Sequence, residues 1–303
     1  HDVEMCLAPT HEEVVTSVVA DVVNSYKQLP LNVYQIQTKF RDEIRPRFGL
    51  LRGREFTMKD AYSFHTSQDD LEREYEVMAK TYTNIFKRCG LETKAVQSDS
   101  GAIGGAVSHE YMVLTDTMVG ENDVFYCEGC DYSANSNHAV SILPVEETNG
   151  ADYGYSEEKL VDTQNNKTIE ELANFLKVDA NCILKAVAYI ADSKPVLAMI
   201  RGDKDVEETK LMNGVGAVEI RPMENAEVEE YLNSTAGFIS YKNVDTSKVK
   251  VIFDNTVKGM KNFVVGANIK DKHLVGANLE ENIKEFHDIS IVKVGEYCPV
   301  CKK

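Results

Sequence analysis

The sequence predicts a mixed α+β fold organised as two domains. Strand-like segments with alternating polarity are interspersed with helix-like segments whose apolar residues recur every three to four positions. The chain has 303 residues, more than one average domain, and at 43% hydrophobic it can bury real cores. A polar stretch over 144–168, holding Glu146, Glu147, Asn149, Gly150, Asn165 and Asn166, separates two such αβ regions.

In the first region Thr10-His11-Glu12-Glu13 has the capping-box pattern, and a helix is expected over about 11–28, closed by Leu29-Pro30. Residues 33–41 alternate as a strand. Tyr34, Ile36, Thr38 and Phe40 form one face. Gln35, Gln37, Lys39 and Arg41 form the other, which is polar enough to line a site. A turn at Arg45-Pro46-Arg47-Phe48-Gly49 leads to a strand-like segment over 54–65. The helix expected over about 68–89 puts Leu71, Tyr75, Met78, Tyr82, Ile85 and Phe86 on its apolar side, and Gly90 stops it. A strand near 93–97, a glycine-rich turn and a strand near 110–114 follow. In the second region strands are expected near 183–190, 195–200, 217–221 and 249–253, with helices near 169–176 and 226–233. Val-Gly-Ala-Asn stands at 265–268 and again at 275–278, a hairpin-scale echo too short for a repeat architecture.

The formal net charge is −16, which excludes a protein that clamps nucleic acid over its whole surface. Phosphate contacts must come from a local patch. Lys39, Arg41, Arg45, Arg47, Arg52, Arg54 and Lys59 provide one, although a charge run of this kind can also be a solvated face. No apolar run approaches the roughly 18 residues that cross a bilayer, so no membrane partner is expected. No signal-peptide pattern opens the chain, and a cytoplasmic location is the expectation. The chain opens at His1, in what reads as the middle of a strand-to-helix transition, so a truncated start is expected.

The chemistry of the first region centres on Thr38-Lys39-Phe40-Arg41-Asp42-Glu43 and Arg54-Glu55-Phe56. An antiparallel pair joined by a basic loop could hold ATP in a bent form. Arg41 presents a planar fork suited to a phosphate, Glu43 can accept from an adenine amino group, and Phe56 offers a face for the base. The competing reading is a plain hairpin with an Arg41–Glu43 ion pair and a core Phe56.

These residues resemble motif 2 of class II aminoacyl-tRNA synthetases. The longer strings Leu7-Ala8-Pro9-Thr10-His11-Glu12-Glu13, Lys59-Asp60-Ala61-Tyr62-Ser63-Phe64-His65 and Gly101-Ala102-Ile103-Gly104-Gly105 with Ser108-His109-Glu110 are similar to the bacterial-type prolyl-tRNA synthetases. The resemblance covers essentially the whole chain. It implies a class II antiparallel-sheet catalytic domain that joins proline to tRNA(Pro) with ATP and Mg²⁺, in an enzyme that works as a homodimer. It assigns Thr10 and Glu12 to the imino group and Arg41 to the carboxylate and α-phosphate. Glu43 and Phe56 are assigned to adenine, and Arg52 or Arg54 to the outer phosphates. The strand ending at Ser108 and His109 would wall the proline pocket. On local grounds Thr10 also reads as a helix N-cap and Glu12 as a first-turn acid. The family's motif 1 is expected upstream of His1. Motif 3 and the anticodon-binding domain are expected after Lys303, so the chain reads as an internal fragment.

The second region resembles the editing insertion of the same family, an α/β domain similar to free-standing aminoacyl-tRNA deacylases. Alanine enters any pocket built for proline, and a small apolar difference discriminates only about 10–200-fold, so a second hydrolytic site is needed. The matching residues are Lys185, Gly237, Asp254 and His273, with Gly266-Ala267-Asn268. The resemblance makes Lys185 a contact for the phosphate of the tRNA's terminal adenosine, and has His273 and Asp254 position substrate or water. Without it, Lys185 reads as an edge-strand gatekeeper among Ile183, Val187 and Tyr189, and His273 as a solvent loop residue.

Seven cysteines include two close pairs, Cys127/Cys130 and Cys298/Cys301. Four thiolates at this spacing suit tetrahedral, structural zinc. An unmetallated thiol cluster and redox chemistry are the alternatives. The organisation expected is therefore a partial catalytic core over 1–126, a zinc neck at 127–130 and 298–303, and an inserted domain over 131–297.

Overall fold

The computed structural model describes residues 5–43, 46, 49–98, 107–115, 123–140, 142–143 and 157–303. The chain divides into two compact units, His1–Thr93 with Val113–Glu121 and Lys94–Met112 with Asn122–Lys303.

The first unit opens with helix α1 (Glu12–Val22) and a 3₁₀ turn at Tyr26–Gln28. The capping box is not where the sequence suggested. His11 is the N-cap and makes no side-chain cap bond, while the Thr10 hydroxyl donates to the Glu12 carboxylate. The capping box forms instead at Ser25 and Gln28. The Gln28 carboxamide oxygen accepts the N–H groups of Asn24 and Ser25, each at 3.0 Å. Asn24 and Ser25 satisfy their backbone locally, and so the helix stops at Val22 rather than near 28.

Strands β1 (Leu31–Phe40) and β2 (Glu55–Phe64) then pair antiparallel without a break, from Leu31 opposite Phe64 to Phe40 opposite Glu55. The alternation runs as expected, but burial does not follow polarity. Tyr34 and Ile36 are 73% and 68% exposed, whereas Lys39 on the polar face is fully buried. Helix α2 (Gln68–Arg88) is capped by the Ser67 hydroxyl on the Asp70 N–H at 3.3 Å. Asp69 and Asp70 in its first turn and Lys87 and Arg88 in its last complement the helix dipole, and Gly90 turns the chain at φ 76°.

In the second unit a four-stranded sheet runs in the order β4-β3-β6-β5. Its strands are β3 (Thr93–Gln97), β4 (His109–Val113), β5 (Val124–Tyr126) and β6 (Ser133–Asn135). A larger sheet is built from β7 (Lys159–Asp162), β8 (Ile183–Ala191), β9 (Lys194–Arg201), β10 (Ile220–Pro222), β11 (Lys250–Phe253), β12 (Phe263–Gly266) and β13 (Lys272–Ala277). Its order is β11-β9-β8-β12-β13-β7, with β10 also on β8. Helices α3 (Ile169–Leu176), α4 (Glu208–Val215) and α5 (Asn225–Leu232) accompany it. One face packs Leu184, Leu197, Met199, Phe263 and Val265 with Val228 and Leu232 of α5. The other packs Tyr189, Val196 and Ala198 with Leu211 of α4, and Ile183, Val264 and Val275 with Leu172 of α3. Strands β8 and β9 are thus buried on both faces, which is why they read as continuous apolar runs.

Candidate functional site

In the first unit the polar face of the hairpin carries the site residues. Beyond β1, Arg41 stays in register, its N–H donating to the Arg54 carbonyl at 2.9 Å. Its guanidinium carbon lies 5.2 Å from the centre of the Phe56 ring, and its Nε donates to the Pro9 carbonyl at 3.2 Å. Glu43 pairs with Arg52 at 3.2 Å rather than with Arg41, and Arg54 Nε donates to the Glu43 carbonyl at 2.9 Å. The Arg41–Glu43 ion pair of the plain-hairpin reading is therefore not formed. The loop before α1 is drawn onto the same hairpin, because Phe40 N–H donates to the Ala8 carbonyl at 3.0 Å. One surface thus gathers Arg41, Phe56 and the Thr10–Glu12 pair.

In the second unit the larger sheet aligns a different set. Val265 faces Leu184 on β8 and Gly266 faces His273 on β13. One step further along β12, the register sets Gly266 beside Lys185. Lys185, Gly266 and His273 therefore share one row and one face across three strands. Lys185 is not on an edge. It lies on an interior strand, with Nζ donating to the Lys204 carbonyl and to Asp205 Oδ1 at 2.9 Å. Nor is His273 a loop residue. It is 4% exposed on β13, with Nδ1 2.8 Å from the Thr163 hydroxyl and its ring edge-on to Phe238. Burial pushes its pKa down to about 4, only partly offset by a hydrogen bond to the Gly237 backbone, so the imidazole is neutral at pH 7.

The two glycines are required by close approach. A Cβ on Gly266 would lie 2.2 Å from the Ile239 carbonyl and 2.4 Å from that of Phe238. Gly237 has φ 93°, and a Cβ there would meet Lys167 at 2.9 Å. Asn268 straps the crossing segment down, accepting the Ser240 N–H at 2.7 Å and donating to the Lys242 carbonyl at 2.9 Å.

Asp254 stands apart. It follows β11, four strands from β13, or roughly 19 Å at the usual strand spacing. It is fully buried, and its two oxygens accept the Thr256 and Ile289 N–H groups at 2.8 and 2.9 Å. Burial raises its pKa despite these bonds.

Cys127, Cys130, Cys298 and Cys301 converge, with all four sulfurs within 4.8 Å of one another. Two contacts cross between the pairs, Cys127 to Cys301 at 3.5 Å and Cys130 to Cys298 at 3.6 Å. The Gly129 N–H donates to Cys127 Sγ at 3.2 Å. Burial alone would raise the Cys298 thiol, but N–H donors of Cys301 and Val300 and the neighbouring sulfurs bring it down to about 6. The cluster can hold a metal ion. Four sulfurs 2.3 Å from a tetrahedral centre lie about 3.8 Å apart, close to these spacings.

A family model described as tRNA synthetase class II core domain (G, H, P, S and T) matches residues 1–253. The chain belongs to the class II tRNA synthetase core family. It is 46% identical over 301 residues to a proline–tRNA ligase of Halothermothrix orenii, and 45% identical over 302 residues to one of Citrifermentans bemidjiense. Each alignment covers 99% of this chain and 52% of the relative. The chain spans about half the length of the curated relatives it matches. A solved protein named as a candidate trans-editing enzyme for prolyl tRNA synthetase aligns with 39% of this chain and 74% of its own. At a TM-score of 0.35 and 17% identity, that likeness supports nothing further.

For a class II synthetase core, the hairpin gathers the residues expected from motif 2, namely Arg41, Glu43, Arg52, Arg54 and Phe56. Ser108 and His109 lie at the start of β4, where the Ser108 carbonyl accepts the Ser98 N–H at 3.1 Å. Gly101-Ala102-Ile103-Gly104-Gly105, Arg45, Arg47 and Phe48 lie outside the described residues. Thr163 and Asp205, the partners of His273 and Lys185, were not anticipated. Thr163 lies 110 residues before His273, while Asp205 follows β9, the hairpin partner of Lys185's strand. No described helix of this synthetase core is long and apolar enough to cross a membrane.

Proposed function

We propose that this protein is a proline–tRNA ligase whose second unit edits mischarged alanyl-tRNA. The observation that carries the first half is the hairpin surface that sets Arg41 against Phe56 beside the Thr10–Glu12 pair. In this reading the proline carboxylate attacks the α-phosphorus of ATP and pyrophosphate leaves. A terminal hydroxyl of tRNA(Pro) then takes the prolyl group from the adenylate and releases AMP. Arg41 neutralises the α-phosphate and Phe56 stacks the adenine. Glu43 accepts from the adenine amino group. Arg52 or Arg54 meets the outer phosphates together with Mg²⁺. Thr10 and Glu12 hold the imino group. The chemistry is positioning and charge neutralisation. Arg41→Ala in the full-length enzyme is expected to slow proline-dependent ATP–pyrophosphate exchange by about 10²-fold or more. Near-normal exchange would sink the assignment. The working unit is proposed to be a homodimer, acting in the cytoplasm where its substrates are.

The editing site is proposed at the row of Lys185, Gly266 and His273, with Gly237 beside it. Water is the attacking group. Neutral His273 orients it or the ester, and Lys185 takes a phosphate of the terminal adenosine after leaving Asp205. Asp254, expected to position substrate or water, lies four strands from His273 and is not part of this row. The proposed boundaries are 1–126 for the catalytic part, 131–297 for the inserted domain, and 127–130 with 298–303 for the neck. There we propose structural Zn²⁺ on Cys127, Cys130, Cys298 and Cys301, which would tie the two ends of the insertion together.

A further inference from the structure

Lys185 is held by two acceptors that its own strand does not supply. Its Nζ donates to the Lys204 carbonyl and to Asp205 Oδ1 at 2.9 Å. The Asp205 side chain is 65% exposed, and an ion pair to so exposed a carboxylate fixes little by itself. A lysine ammonium rides on a flexible four-carbon stem. Its place at the end of the row therefore depends on how firmly the turn after β9 is held.

That turn is tied down by its own strand pair and by a distant segment. The Gly202 N–H donates to the Ile183 carbonyl at 2.7 Å, and a Cβ on Gly202 would lie 2.5 Å from the Ala180 carbonyl. Arg201 forks onto the Asp203 carboxylate with two nitrogens, each at 2.6 Å. The distant segment is the one that leads to Cys298. Its Ile291 N–H donates to the Asp205 carbonyl at 2.9 Å, and the Glu207 N–H donates to the Ile289 carbonyl at 2.8 Å. The two stretches run antiparallel there, with Val206 opposite Ser290. Lys293 Nζ donates to the Asp203 carbonyl at 2.5 Å. A buried ion pair adds to these bonds. Lys204 Nζ donates to Glu296 Oε1, and the two side chains are only 4% and 9% exposed. The same oxygen accepts the Lys293 N–H at 3.1 Å. A buried ion pair is weak evidence for stability, because apolar residues of similar volume often do as well. What this one adds is a fixed meeting point between turn and segment.

We propose that segment 289–296 braces the turn 202–205, with the Lys204–Glu296 pair as its lock, and so positions the Lys185 ammonium for the substrate's phosphate. The proposal rests on reading the row of Lys185, Gly266 and His273 as the editing site. Lys204 and Glu296 are positioning residues. The Lys204 side chain faces Glu296 while its carbonyl meets Lys185. Neither touches the ester or the attacking water in this scheme, so the brace acts on substrate affinity.

Two measurements test it. In the full-length enzyme, Glu296→Gln keeps the shape of the side chain and removes its charge. It is expected to raise KM for alanyl-tRNA(Pro) hydrolysis about tenfold, as the loss of one charge-assisted contact does, with kcat within twofold. In a Lys185→Ala background the same substitution should change KM less than twofold, because the group it positions is gone. A merely structural role would lower activity equally in both backgrounds. Lys293→Met changes a half-exposed side chain and leaves the buried pair in place, and it should raise KM at least twofold. In the 303-residue chain, brief treatment with acetic anhydride followed by peptide mass analysis reads the amine itself. Lys185 should be acetylated at least threefold faster in Glu296→Gln and measurably faster in Lys293→Met, with exposed Lys248 as the internal reference. Unchanged acetylation of Lys185 in both variants overturns the brace, as does an equal loss of activity with and without Lys185. If Glu296→Gln does not fold, Lys293→Met decides both measurements. If the wild type does not hydrolyse alanyl-tRNA(Pro), the editing reading fails, and the acetylation of Lys185 still decides the brace.

Discussion

His273 shows how position on the sheet sets a residue's chemistry. Its folded pKa of about 4 lies below the ordinary value of 6.5 because burial disfavours the imidazolium. The unfolded chain therefore takes up a proton that the folded chain refuses. Stability is complete above about pH 6.5 and falls as the pH drops towards 4. The contribution is at most about 3.5 kcal/mol, since each tenfold loss of proton affinity on folding is worth about 1.4 kcal/mol. Denaturant unfolding of wild type and His273→Gln at several pH values reads this out. The difference in stability between them should change across pH 6.5 to 4 and be flat above 6.5. A difference that does not vary with pH would mean that the imidazole is not desolvated. The same neutrality is what an editing histidine needs at pH 7, where an imidazolium would compete with Lys185 for phosphate.

At the scale of elements, β12 matters because another segment crosses directly over it. The Phe238 and Ile239 carbonyls lie where a side chain on Gly266 would stand, and Asn268 holds that crossing segment in place. Gly266→Ala should destabilise the second unit by about 3 kcal/mol, since backbone rather than a flexible side chain must move. A thermal or denaturant midpoint within experimental scatter of wild type would show that the segment yields freely. The first-unit hairpin makes the complementary point. Its alternation marked Gln35, Lys39 and Arg41 as one face, but not that Lys39 on it would be buried, because periodicity gives sidedness without saying which side meets solvent.

At the scale of the whole molecule, the cysteine cluster and the editing row make separable predictions. One zinc per chain should be found by elemental analysis of protein purified without added metal. Cys298→Ser should lower that content and the thermal midpoint together. Freely titratable thiols with no metal present would reject the site. The metal should resist mild chelation, because its release requires both ends of the neck to separate. For editing, the second unit should hydrolyse alanyl-tRNA(Pro) and spare the prolyl ester. Lys185→Ala should cut the rate and flatten its salt dependence, since one phosphate contact is lost. Equal hydrolysis of the two esters, or full activity in both Lys185→Ala and His273→Ala, would put the site elsewhere.

Local pattern alone locates the helices and strands with strong periodicity. Strand 93–97 and helix 169–176 lie where it set them, and the long helix after Ser67 differs by one residue. It also determined the family, because motif 2 and its neighbours are long and local, and it flagged the four cysteines through their paired spacing. It missed the short strands β5, β6, β7, β12 and β13. It missed α4, whose apolar stripe Gly214 interrupts. That Lys185 is interior, His273 buried and Asp254 four strands away follows from the packed fold. Strand order and burial are set by contacts between segments far apart in the chain, and no local pattern encodes them. The same holds for Lys39. A lysine in an alternating strand reads as solvent-facing until the fold supplies Asp60 to meet it.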